Sequence, residues 1–433
     1  MVRKAYADKL MSPEQAVSIV SRGATLVHGM GASEPPALLG AIADRIRSGD
    51  LKNLYVFSLF PMGTAAKTIL APDIADQVFA YTWFVSSSDR GTVKCGLCSF
   101  VPNNFHEVPR LCSEFMNIDV TVTTVSPMDR AGYFTFGTVN DYISTAARHC
   151  KTLIVEVNEH MPRVFGDSLL HISEVDAVVE HHSPLLELKP AEPTEEDKIV
   201  ARQVAELVPD GATIQLGIGG IPNAVCSFLD DRRDLGIHSE LFCPGMMDLI
   251  RKGIVTGARK NLHPRKHVFT NALGTREMYD FIHDNPSMET YPVSYINDPG
   301  VIARNDRFIS INATIEVDLL GQCNSEYLGD MQFSGTGGQL DFVRGAFNSK
   351  GGKSIIAFRS TAKNGQVSRI VPSLESGAVV TVPRMDTQYL ATEYGIVQVK
   401  GKSTRDRAFE IIKIAHPKFR DGLLREAEER RIV

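Results

Sequence analysis

No run of about 18 uninterrupted apolar residues occurs in the 433-residue chain, which argues against a helical membrane span. An excess of positive charge is also missing. The formal net charge is −5, so nucleic acid is not a bulk electrostatic partner, though a local basic pocket is compatible with it. The N-terminal stretch MVRKAYADKLMSPEQ contains no apolar h-region, so no secretory signal is expected and a cytoplasmic location is. The seven cysteines are odd in number and scattered, mostly in apolar contexts such as Cys226 and Cys323. That fits a reducing compartment rather than a disulfide framework. Cys95 and Cys98 match C-x-x-C, but no second pair and no histidines at ligand spacing accompany them. The run EHH at 180–182 precedes a proline-rich stretch and reads as a solvated turn. Neither a metal nor a permanently bound cofactor is expected.

Apolar and charged fractions of 43% and 22% are those of a soluble globular protein, and the length is too great for one ordinary core. The best boundary is SPLLELKPAEPTEEDK (183–198), with three prolines, several charges and no periodicity. Two domains are expected, 1–187 and 188–433. A helix start follows the boundary, since Thr194 and Asp197 have capping-box spacing before IVARQVAEL. Ser12, Pro13 and Gln15 use the same grammar near the N-terminus.

The two halves echo one another. SRGATLVHGMG (21–31) aligns with PDGATIQLGIG (209–219), and GTVNDY (137–142) with GGQLDF (337–342). Two echoes at similar offsets and in the same order point to a duplicated α/β domain. Short β-branched strands alternate with helices: TLVHGM, LYVFSL, VTVTTVS and TLIVEV, then TIQLGI, ELFCPG, RFISINA, SIIAF and AVVTVP. The expected class is therefore α/β, two similar domains with parallel or mixed sheets. Ligands in such folds bind where glycine-rich turns leave the carboxyl ends of strands.

Three such places stand out. GIGGIPNAV (217–225) follows TIQL and opens a helix, so its amides suit an anion. It is neither a Walker loop nor a full G-x-G-x-x-G, and a tight strand–helix turn also accounts for it. GIHSELFCPG (236–245) sets Glu240 between an apolar strand and a turn at CPG, although glutamate is a poor strand former and seldom buried unpaired. FSGTGGQLDF (333–342) clusters glycines whose N–H groups can face a developing oxyanion, or simply form a turn.

In this order and spacing, GIGGIPNAV, GIHSELF and GTGGQLDF resemble the coenzyme A transferases of the acetyl-CoA hydrolase/transferase family. INATIEVDLLGQ (311–322) and STAKNGQVSRIVP (360–372) extend the likeness, which runs nearly end to end. The resemblance implies two similar α/β domains with one active site between them, and a glutamate that becomes covalently attached to CoA. That glutamate maps onto Glu240. Gly338 is the implied oxyanion N–H donor, with Asn312 as a second candidate. Gly217, Ile218, Gly219, Gly220 and Ile221 would form part of the CoA site. Lys363 would contact phosphate or pantetheine, unless it is a solvated surface lysine. In the first half NLYVFSLFP carries no acid at the corresponding place. The implied reaction moves CoA between a short-chain acyl-CoA and a carboxylic acid, such as acetate, butyrate or 4-hydroxybutyrate. Hydrolysis of acyl-CoA through the same glutamate is the alternative. CoA would be a substrate, and a homodimer is the implied assembly.

Overall fold

The computed structural model describes residues 2–189, 192–217 and 219–433, which form two compact units. The first holds the chain up to Lys189 together with Val268–Ile296 and Gln332–Gly337; the second holds the remainder. Backbone hydrogen bonds draw later segments into the first unit. Asn140 N–H donates to Thr270 O (3.0 Å), Ala272 N–H to Thr138 O (2.7 Å) and Phe105 N–H to Gly337 O (3.1 Å).

The first unit is built on strands β1 (Thr25–His28), β2 (Leu54–Ser58), β3 (Val78–Thr82), β4 (Cys98–Phe100), β5 (Ile118–Val125), β6 (Cys150–Val157) and β7 (Ala177–Glu180). They lie in the order β7-β6-β5-β1-β2-β3-β4, every pairing parallel. Alternation sends Leu26, Val56 and Val120 into one core and Val27, Val125 and Val155 into another. A parallel sheet covered on both faces requires such strands. Helix α1 (Pro36–Arg47) follows β1, and its start is closed from within. Glu156 on β6, fully buried, accepts from Ala37 N–H and Leu38 N–H at 3.0 Å each.

The second unit begins with helix α2 (Glu195–Glu206), whose Thr194–Asp197 capping box is formed. Its sheet uses β8 (Thr213–Leu216), β9 (Gly236–Phe242), β10 (Phe308–Asn312), β11 (Lys353–Ala357), β12 (Tyr389–Thr392) and β13 (Gly395–Gln398). The order is β13-β12-β11-β10-β8-β9, parallel except for the β12–β13 pair. In both units the strand after the glycine–alanine–threonine turn lies inside the sheet, with its successor on one side and a later strand, β5 or β10, on the other. The fold is α/β with parallel and mixed sheets.

Register makes the correspondence exact to the residue. Thr25 pairs with Tyr55 where Thr213 pairs with Gly236, so Leu59 stands at the place of Glu240. Val120 joins Leu26 to Thr152, and Ile309 joins Ile214 to Lys353, so Glu156 corresponds to Ala357.

Two local readings of the sequence fail. AVVTVP is no strand: Val380 is exposed, and Val382 makes only an isolated bridge to Cys323. The turn at Gly377 (φ 90°) and the ring of Pro383 bracket it too closely for a ladder. CPG is not a turn either. Helix α3 spans Gly220–Val225, and Cys243 caps the next helix, α4 (Pro244–Arg251), with Pro244 at its first position.

Candidate active site

Glu240 lies two residues before the carboxyl end of β9, half-buried, while His238 and Ser239 before it are buried. Its carboxylate has two donors within the second unit. Asn297 Nδ2 donates to Glu240 Oε2 at 2.6 Å, and the backbone N–H of Gly338 donates to the same carboxylate. Gly338 caps helix α5 (Gln339–Asn348), so the positive end of that helix faces the acid.

The glycine is needed for space, not for its backbone angles. Gly338 has φ −92°, open to any residue, but a Cβ there would overlap Glu240 Oε2 and Asn297 Nδ2. Asn297 is fully buried, and the next residue fixes the chain beside it: Asp298 Oδ1 accepts from Gly300 N–H (2.6 Å) and Val301 N–H (3.0 Å).

Burial pushes the Glu240 pKa up to about 7, donation from Asn297 holds it down, the charge of Asp341 adds to the rise, and the Gly338 N–H opposes it. A carboxylate so placed is ionised in a large fraction near neutral pH, carries donors on its oxygens, and is little solvated. It can act as a nucleophile or as a general base.

The glycine loop after β8 is a separate cluster of contacts. Gly217 N–H donates to Ile311 O (2.8 Å), and a Cβ on Gly217 would come 2.8 Å from Asn312 Oδ1. Asn312 exchanges amide hydrogen bonds with Gln215 at 3.1 and 3.3 Å. Its side chain thus braces the base of the loop, and no hydrogen bond joins it to Glu240 among the described residues. Gly219 has φ 141°, open essentially to glycine alone, and leads into α3, where Ile221 is buried. Ile218 lies outside the described residues. Lys363, exposed with φ 49°, stands at the tip of the hairpin formed by Thr361–Ala362 and Val367–Ser368.

Sequence reasoning missed Asn297. It sits in YINDPG, which reads as a turn, and only tertiary folding brings it to Glu240. Among the described residues no group of three or more His, Cys, Asp or Glu is placed to hold a metal, and no helix is long and apolar enough to cross a membrane.

Two family models match the chain: the acetyl-CoA hydrolase/transferase N-terminal domain over residues 1–187 and the C-terminal domain over 274–427. The chain is 43% identical to a 4-hydroxybutyrate coenzyme A transferase of Clostridium kluyveri, over 98% of each chain. It is 44% identical to a succinyl-CoA:cyclohexane-1-carboxylate CoA transferase of Geobacter metallireducens, over 99% of this chain and 96% of the other. The crystal structure of RipA from Yersinia pestis superposes with a TM-score of 0.97 at 47% identity, covering all of both chains.

Proposed function

The chain belongs to the acetyl-CoA hydrolase/transferase family and is an enzyme of its CoA-transferase class, and from that premise we propose that it exchanges CoA between a short-chain acyl-CoA and a carboxylic acid through Glu240. The observation that carries this reading is the pair of donors, Asn297 Nδ2 and the Gly338 N–H, on the carboxylate of Glu240.

The steps follow from that arrangement. A carboxylate oxygen of Glu240 attacks the acyl-CoA carbonyl. The tetrahedral oxyanion collapses with cleavage of the C–S bond, leaving an acyl-glutamyl anhydride and CoA thiolate. The thiolate attacks Cδ of Glu240. Negative charge now develops on a glutamyl oxygen, and Asn297 and Gly338 already donate to that side chain. Collapse expels the first acid and leaves a glutamyl-CoA thioester. The acceptor carboxylate attacks Cδ, releases the thiolate, and the thiolate attacks the acceptor's acyl carbonyl, restoring Glu240. One thioester replaces another, so no ATP is needed. One oxyanion donor of this kind lowers the barrier by about 3 kcal/mol. Acids such as acetate, butyrate and 4-hydroxybutyrate suit the reaction.

Borohydride reduces a thioester but not a free carboxylate. Added after acyl-CoA alone, it should inactivate the enzyme and convert Glu240 to the corresponding alcohol, located by peptide mass mapping across GIHSELFCPGMMDLIR. Without acyl-CoA it should do nothing. Initial rates should give parallel double-reciprocal lines, the signature of two half-reactions. Modification elsewhere, or intersecting lines with no trapped adduct, would reduce Glu240 to a general base. Consumption of acyl-CoA with and without an acceptor acid separates transfer from hydrolysis.

A further inference from the structure

The segment FRSTAKNGQVSRIV folds so that two arginines flank the base of one hairpin. Thr361 pairs with Ser368, and one step further down Arg369 N–H donates to Ser360 O at 2.9 Å. Arg359 and Arg369 are thereby neighbours, with Lys363 at the opposite tip.

Arg359 is held rigidly. Its Nε and Nη2 donate to Asp197 Oδ1 and Oδ2 at 2.8 Å each, a bidentate fork. The Asp197 side chain is 4% exposed and that of Arg359 is 41% exposed. The fork leaves Nη1 uncommitted to Asp197. Asp197 is also the link to the glycine loop, since a Cβ on Gly220 would come 3.1 Å from Asp197 Oδ2. The guanidinium is therefore delivered beside the Gly219–Gly220 turn.

Arg369 has no counter-ion of its own. It is half-buried, and among the described residues its guanidinium makes no hydrogen bond or ion pair. Burial, and then the charge of Arg359, push its pKa down, partly offset by Asp197 and Glu393. Those carboxylates are engaged elsewhere: Asp197 with Arg359, and Glu393 Oε2 with the Ser360 N–H at 2.9 Å. Glu196 is the remaining acid near Arg359, and it is exposed. A half-buried cation beside a second cation is costly unless an anion joins them.

We infer that Arg369, with Arg359 behind it, binds a phosphate group of coenzyme A at the base of this hairpin, beside the Gly219–Gly220 turn. The inference rests on the CoA-transfer reading. A guanidinium pair suits phosphate because its planar donors match the tetrahedral oxygens. The residues determine how the carrier is recognised, not how the acyl group reacts.

The test compares wild type with Arg369→Gln and Arg369→Lys, using free CoA, 3′-dephospho-CoA and pantetheine in calorimetric titrations, and the acyl forms of CoA and pantetheine in transfer assays. Arg369→Gln should weaken CoA about tenfold or more, with the transfer loss falling on KM for acyl-CoA. Pantetheine and its acyl thioester should be unaffected, and Arg369→Lys should restore part of the loss. A penalty that persists with dephospho-CoA assigns the contact to the diphosphate; one that disappears assigns it to the 3′-phosphate. Equal losses for CoA and pantetheine, or no loss for either, overturn the inference. Unaltered thermal melting of Arg369→Gln keeps a folding defect out of the comparison. If wild type binds CoA but moves it to no acid, the transfer reading fails while the phosphate contact is still decided by the titrations.

Discussion

Asn297 Nδ2 lies 2.6 Å from Glu240 Oε2, joining two residues 57 positions apart in the sequence. The contact favours the ionised carboxylate while burial opposes it, and the acid is left poised near neutrality. Its chemistry is therefore sensitive to each neighbour in a direction that can be stated beforehand.

Glu240→Ala should lower transfer by at least about a thousandfold, since loss of a covalent nucleophile costs several orders of magnitude. Stability should not follow. The folded pKa is raised, so the folded state binds the proton more tightly than the unfolded chain. The stabilisation that proton provides is complete below the unfolded value and is lost as pH rises through about 7. Glu240→Gln should consequently melt no lower than wild type at about pH 8. A large drop in melting temperature at that pH would make Glu240 a structural residue.

In the proposed reaction the attacking carboxylate of Glu240 must be ionised. The acid limb of kcat/KM for acyl-CoA should therefore rise with pH and level off above about 7. Asn297→Ala removes a donor to the charged form, so the midpoint of that limb should move to higher pH, with a lower plateau. A midpoint that stays, or moves to lower pH, would show that Asn297 does not hold the carboxylate in solution.

Gly338→Ala should cost activity about a hundredfold or more, because the new methyl collides with Glu240 and Asn297. Alanine at φ −92° is otherwise unstrained, though a poorer N-cap than glycine. A variant that turns over normally would place Glu240 and α5 farther apart in solution.

Glu156 gives a prediction for the first unit. Burial pushes its pKa up to about 8, against the two helix N–H donors. The sign is as for Glu240: stability present at low pH is lost as pH rises to about 8. Glu34, raised to about 7, acts the same way. The melting temperature should fall between about pH 5 and about pH 8, and less steeply in Glu156→Gln. Identical slopes would mean that folding does not raise the Glu156 pKa.

The duplicated α/β class was legible because hydrophobic alternation and the GAT turn repeat in the chain itself, and the strands carrying them occur in both units. The Thr194–Asp197 cap was equally local. Asn297 was not legible: nothing near YINDPG marks a side chain destined for a strand end far away in sequence. The bracing of Asn312 by Gln215 depends on β8 and β10 lying side by side, which is a matter of topology. Asp197 shows the limit most clearly. Its spacing from Thr194 announced a helix cap, but its second role, gripping Arg359, is non-local.

Glu156 also acts as a tethered ligand. The amides at the start of α1 face a carboxyl group that cannot diffuse away, so it meets them at high effective concentration. At the matching position the second unit has Ala357, whose methyl group supplies no such acceptor. The two glycine turns, alike in sequence, therefore differ in occupancy. The first is filled by its own chain, and no Glu156 counterpart competes with a soluble anion at the second.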